Sequence, residues 1–290
     1  PLLHTARVGG INYAYVYGGE AIDHPVDPFE EANRLVGKAN LAGFDMSGAV
    51  AAGAKASVRL YWVNDGLQPG EQFYVRLVDD LGREWGRGDC ALDPAFGDVT
   101  AWVDDDIFEV ECPMTVLVGA PPGPYLLRAG IMDENGALIG EVHPGPDEAA
   151  LEVERPARYP TDFEVDVEHR VGHRFNEAIA LVGYDYTPAI HKPAEAIALT
   201  FYWRALQGIR EDYDIRLTLK GSVPGRRIEW ASKNADWRFA TSLWQPGELV
   251  RDPWTLTLPA SLPTGDYELA VEVMDGERSV GRLMLTVLTV

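Results

Sequence analysis

Apolar and polar side chains alternate with a period of two along most of this chain. Residues 57–63, 73–78, 125–132, 196–203, 213–219, 254–258 and 267–274 alternate or run apolar, and they are rich in β-branched and aromatic types. That pattern describes strands with one buried face. Turn residues separate them: Asn64-Asp65-Gly66, Gln68-Pro69-Gly70, Glu134-Asn135-Gly136, Pro263-Thr264-Gly265-Asp266 and Asp275-Gly276. Short strands punctuated this often predict antiparallel sheets packed face to face. Only residues 28–38 carry a helix-like pattern. The strand-like stretch 11–17 stands apart, expected to join an edge of the first sheet or to belong to a preceding region.

The pattern also recurs. Leu41-Ala42-Gly43-Phe44-Asp45 returns as Leu181-Val182-Gly183-Tyr184-Asp185, and Tyr61-Trp62 as Tyr202-Trp203. Phe73-Tyr74-Val75-Arg76-Leu77 matches Tyr213-Asp214-Ile215-Arg216-Leu217. From Trp102 onward an offset of 142 carries Trp102 to Trp244, Gly123 to Gly265, Tyr125 to Tyr267 and Met132-Asp133 to Met274-Asp275. The expectation is all-β: two tandem antiparallel β-sandwich domains, immunoglobulin-like or carbohydrate-binding-module-like. Residues 1–28 form an amino-terminal strand and linker, 29–154 domain A, 155–160 a proline-bearing linker and 161–290 domain B. Each is long enough to bury its own core.

Charge narrows the partners. With 25 Lys and Arg against 45 Asp and Glu, the net charge is −20. Such a surface repels phosphate backbones and anionic lipid, which argues against nucleic acid and against membrane contact by this chain. No apolar run approaches the ~20 residues that span a bilayer. The chain opens at Pro1 without an initiator methionine or signal peptide, and the expectation is a piece excised from a larger surface protein.

Several residue groups are candidates for chemistry. Trp230, Trp237 and Trp244 lie seven apart with Arg226, Arg227, Lys233 and Arg238 among them. Exposed aromatics flanked by hydrogen-bonding groups hold sugars; the same rings otherwise fill the core. Asp104, Asp106 and Glu109 belong to an acidic run that offers oxygen ligands to calcium, but lacks a glycine-punctuated calcium loop and equally describes a solvated strand edge. Cys90 and Cys112, 22 residues apart, either form a disulfide in an oxidising compartment or remain two buried thiols. His169 and His173 are interrupted by Gly172 and do not suit a helical metal pair. No catalytic or cofactor motif appears. The expectation is therefore a non-enzymatic chain without cofactors.

The order L-x-G-[FY]-D, a strand ending in Tyr-Trp, x-[VI]-R-L, tryptophan before an acidic turn, P-x-G-x-Y and M-D resembles the carboxy-terminal extracytoplasmic sandwich regions of bacterial polytopic membrane glycosyltransferase-like proteins. The second copy carries it best, through Leu181 to Asp185, Tyr202-Trp203, Trp244 to Glu248 and Leu262 to Asp275. Residues 10–17 are similar to the strand leading out of the membrane part. The resemblance implies a non-catalytic, extracytoplasmic accessory region, with a membrane-anchored parent and carbohydrate or another protein as partner. The alternatives are a structural spacer or protein-interaction module without a small ligand and, more remotely, a glycoside hydrolase.

Overall fold

The computed structural model describes residues 2–8, 11–17, 34–35, 37–46, 48–92, 107–143, 151–221, 227–232 and 239–290. The chain divides into two compact units, Pro1–Pro156 and Ala157–Val290. Both are β-sandwich-like, and among the described residues there is no α-helix. No helix there is long and apolar enough to cross a membrane.

Unit 1 begins with a hairpin, β1 (Leu2–Val8) and β2 (Ile11–Tyr17), so the stretch at 11–17 pairs with the strand before it rather than with the large sheet. There follow β3 (Arg34–Leu35), β4 (Ala39–Met46), β5 (Ala49–Ala51), β6 (Lys55–Asn64), β7 (Gln72–Val78) and β8 (Glu84–Leu92). The unit closes with β9 (Ile107–Val116), β10 (Gly123–Met132), β11 (Leu138–Val142) and β12 (Leu151–Glu154). Of the helix-like stretch 28–38, Arg34–Leu35 is a strand paired with Ala39 and Asn40, while 28–33 lie outside the described residues. Unit 2 contains β13 (His169–Arg174), β14 (Ile179–Asp185), β15 (Ala196–Ala205), β16 (Asp214–Gly221), β17 (Arg227–Ser232), β18 (Leu249–Thr257), β19 (Asp266–Asp275) and β20 (Arg278–Thr289).

The two units pair their strands in the same order. In unit 1, β4, β6 and β9 lie side by side, as do β8, β7, β10 and β11; in unit 2 the runs are β14-β15-β18 and β17-β16-β19-β20. Trp62 stands between Leu41 and Phe108, and Trp203 between Leu181 and Val250. A bulge falls between Leu41 and Gly43 and again between Leu181 and Gly183. β6 and β15 share the same sequence of exposed and buried positions along all ten residues. Alternation thus delivers one row of side chains to the interior, where each fully buried large apolar group contributes ~1.5–3 kcal/mol.

One sequence match shifts. Leu126 faces Val78 and Glu268 faces Lys220, so the offset is 142 on both strands (268 − 126 and 220 − 78). The matching of 73–77 to 213–217 implies 140. A slip of two residues keeps every side chain on its own face, so alternation alone does not distinguish the registers.

Each core is closed by a tyrosine that ties back to its own loop. Tyr125 donates to Pro121 O (2.7 Å) and Tyr267 to Pro263 O (2.8 Å). Gly123 and Gly265, two residues earlier, have φ of 136° and 144°, values that side-chain-bearing residues rarely adopt. The units differ at one seam. In unit 1, β8 also pairs with β9, merging the layers into a ten-stranded sheet, whereas unit 2 keeps two four-stranded sheets. Cys90 on β8 and Cys112 on β9 are joined by a disulfide across that seam.

In unit 2 the entering segment covers the outer face of the β14-β15-β18 sheet. Val165 packs with Val182, Tyr202 and Leu249, and Arg204 holds Asp162 at 2.7 Å.

Candidate functional site

Of the aromatic residues singled out for sugar contact, Trp244 is 2% exposed in the unit 2 core, stacked with Phe239. Its indole N–H donates to Phe239 O at 3.0 Å. A ring so enclosed offers no face to a sugar, and its role is structural. Trp237 and Arg238 lie outside the described residues, and for Trp230 only the backbone, opposite Leu217, is described. Asp104 and Asp106 also lie outside them. Glu109 sits on the outer side of β9 with Arg59 at 3.7 Å, and its neighbour Glu111 accepts from Ser57 at 3.0 Å. Among the described residues no group of three or more His, Cys, Asp or Glu side chains is arranged to hold a metal ion.

The structure brings together a different set, at one end of unit 2. The β13–β14 turn and the β15–β16 loop meet there, joined by Leu206 N–H donating to Ala178 O at 2.7 Å. Asn176 fixes the turn: its Oδ1 accepts from Ala178 N (2.8 Å) and Ile179 N (2.9 Å). This is the local turn chemistry that Asn favours. Its Nδ2 then donates to the Tyr213 hydroxyl at 3.1 Å. Thr241, fully buried, donates to Glu211 O and accepts from Tyr213 N, both at 2.8 Å. The floor is therefore rigid and its polar atoms are satisfied.

Above this floor lies a cavity of about 480 Å³, lined by Asn176, Glu177, Gln207, Arg210, Glu211 and Tyr213. Glu177, Gln207, Arg210 and Glu211 are exposed around the rim, and among the described residues their side-chain polar groups have no hydrogen-bond or ion-pair partner. Carboxylates accept, guanidinium donates, and the Gln amide does both. Such a rim, around a depression open to solvent, offers the mixed donors and acceptors that sugar hydroxyls engage. Sequence reading passed over these residues because polar loop side chains follow no periodicity. The available signal was the contrast between Leu206-Gln207-Gly208-Ile209-Arg210-Glu211 and the first copy's Asp65-Gly66-Leu67-Gln68-Pro69-Gly70-Glu71.

No protein-family model matches the chain, and no curated protein matches it. Among solved structures it is similar to the C-terminal domain of wzt, at 14% identity over 41% of this chain and 81% of that one, with a TM-score of 0.33. A Salmonella alpha-2-macroglobulin mutant aligns at 12% identity over 92% of this chain but 16% of its own length, TM-score 0.24. Red sea bream transglutaminase aligns at 11% identity over 88% and 31% respectively, TM-score 0.24. Likenesses this distant carry no argument about ligand or activity. What stands on the chain's own geometry is a β-sandwich module.

Proposed function

We propose that this chain is a non-catalytic accessory module that holds glycan through the end-loop cavity of unit 2. The observation that carries the reading is the open rim of Glu177, Gln207, Arg210 and Glu211 above a floor locked by Asn176, Tyr213 and Thr241. Four polar side chains without partners among the described residues are free to engage a ligand at ~0.5–1.5 kcal/mol of ordering each, and the locked base adds no further ordering cost. The Cys90–Cys112 disulfide supports an extracytoplasmic setting, since such bonds persist in oxidising compartments. A membrane-anchored, glycosyltransferase-like parent rests on the sequence resemblance alone.

Trp244 serves as a reporter here, because Thr241, three residues before it, is bonded to both Glu211 and Tyr213. Titration of the chain with a panel of neutral and acidic oligosaccharides is expected to change tryptophan emission saturably, and Arg210→Ala to move the midpoint to about tenfold higher ligand. A flat response across the panel would transfer the chain to the alternative reading, a spacer or protein-interaction module.

A further inference from the structure

The outer face of the β8-β7-β10-β11 sheet in unit 1 carries a second, independent arrangement. Arg128 on β10 lies directly opposite Arg76 on β7, and Arg76 directly opposite Arg87 on β8. Three guanidinium side chains thus form one lateral row across three adjacent strands. Like charges placed opposite one another in a sheet destabilise it unless counter-charges are supplied.

Counter-charge is supplied unevenly. Arg76 donates through Nε to Glu141 at 2.9 Å and again through Nη2, with Glu84 at 3.9 Å. Arg87 has Asp89 at 3.6 Å and the Met132 sulfur at 3.4 Å. Arg128, half-buried, is bonded to the His143 ring nitrogen, and among the described residues it has no carboxylate partner. Among the described residues, the carboxylates of this row gather at Arg76 and Arg87 and none reaches Arg128.

The row is also held in place from beneath. Tyr74, 3% exposed, lies with the Arg76 and Arg87 guanidinium carbons 5.8 and 5.7 Å from its ring centre, within cation–π range. Its hydroxyl donates to Glu141 at 2.7 Å, the same carboxylate that holds Arg76. The ring rests over Gly130, where a Cβ would come within 2.7 Å of it. In unit 2 the corresponding positions, 142 residues on, are Ala270 and Thr218, and Glu229 faces Thr218. The arginine row therefore belongs to unit 1 and is not required by the fold.

We infer that this face is a binding site for an oxyanion, a phosphate ester or a sugar carboxylate, seated on Arg128 and shared with Arg76 and Arg87. Guanidinium forks match both groups by paired, charge-assisted hydrogen bonds. This site is distinct from the unit 2 cavity, and either can fail without the other.

The test uses the whole chain and backbone amide NMR at low ionic strength, titrated with inorganic phosphate, with glucuronate and with glucose. Within unit 1, saturable shifts on β7, β8 and β10 are expected from phosphate or glucuronate and not from glucose; the stronger anion identifies the ligand chemistry. Arg128→Gln is expected to weaken that anion about tenfold, the usual weight of a hydrogen bond to a charged group. Arg278→Gln, an exposed arginine of unit 2 outside both sites, is expected to leave it unchanged. If Arg128→Gln does not fold, Arg87→Gln, whose side chain is more exposed, carries the same comparison. Shifts scattered over unit 1 beyond these strands, or an anion affinity of unit 1 indifferent to these substitutions, would overturn the assignment.

Discussion

The same end of the same fold is closed in unit 1 and open in unit 2. In unit 1 the loop between β6 and β7 consumes its own polar groups. Lys38 pairs with Glu71, Asp65 accepts from Gly37 N (3.2 Å), and Gln68 gives its backbone N–H to Glu71 (2.8 Å) and its amide to Gly66 O (2.9 Å). In unit 2 the corresponding loop leaves Gln207, Arg210 and Glu211 facing solvent above a fixed floor. The interiors differ in the opposite sense. Trp203 and Trp254 both donate their indole N–H to Asp252, at 3.1 and 2.7 Å, while Trp62 Nε1 in unit 1 is buried without a partner among the described residues. Position 110, 142 residues before Asp252, is Val110. One unit thus combines a polar anchor inside with unengaged groups outside. The other anchors a different indole, that of Trp85, on the buried Asp79 at 2.9 Å, adds a disulfide, and satisfies the polar groups of its β6–β7 loop. Shared positions therefore report architecture, and the differences locate what each unit can do.

Removing the anchor is the most forceful way to break this comparison. Asp252 is 4% exposed. Asp252→Ala leaves two indole donors without their acceptor, and at ~1–3 kcal/mol for each orphaned group the loss is about 4 kcal/mol. Calorimetric or urea unfolding is expected to show that loss in unit 2 alone. A uniform loss in both transitions would mean that the units do not unfold separately.

The disulfide is the counterpart in unit 1. Cys90 and Cys112 close a loop over a sequence separation of 22, and loop entropy assigns such a bond about 3 kcal/mol. Cys90→Ser with Cys112→Ser is expected to destabilise unit 1 by that amount. It should also speed amide exchange along β8 and β9, where the two layers become one sheet. Unit 2, with Trp254 at the position corresponding to Cys112, should be indifferent.

How much of this was legible beforehand follows the physics of each level. Alternation placed most of the major strands, because burying one face of a sheet imposes period two on the sequence. The β7 and β16 registers were misaligned by two residues, because Arg76-Leu77 and Arg216-Leu217 look alike while a slip of two leaves the faces unchanged. Residues 34–35 read as helix because so short a strand has no room to show its period. The tryptophan series failed at Trp244 because aromatic spacing does not report whether an indole finds a backbone acceptor such as Phe239 O. The rim residues were invisible for a related reason: an unpartnered loop glutamate and a paired one, Glu211 and Glu71, are the same letter.

A smaller effect sharpens the contrast between the two loop ends. Glu177→Gln and Arg210→Ala in unit 2 are expected to lower glycan affinity about tenfold each while leaving the melting temperature within experimental error. Lys38→Ala in unit 1 should do the reverse. It removes the cation from Glu71, whose side chain is 8% exposed, costs about 1–3 kcal/mol, and leaves binding untouched. Glycan titration and thermal melts on the same three variants separate the outcomes, and equal losses of affinity in both units would erase the distinction.

The smallest effect concerns the segment that leads into unit 2. Glu164 accepts from Arg158 through both oxygens, at 2.9 Å each, and from Thr161 N and Oγ1 at 2.7 and 3.0 Å. The bonds from Arg158, then those from Thr161, pull its carboxyl from an ordinary value near 4.5 down to about 2. A depressed carboxyl stabilises the folded segment above its unfolded value, and that contribution disappears as pH falls through about 2. The group is exposed, so salt should weaken the effect. Following the Glu164 carboxyl carbon by NMR should give a midpoint near 2, moving towards 4.5 in Arg158→Ala. Phe163, 90% exposed beside Arg170, should report the same transition through its ring protons. A wild-type midpoint already near 4.5 would show that the turn is not stapled in solution. The contact of Asp162 with Arg204 and the packing of Val165 would then have to hold the segment against the sheet without it.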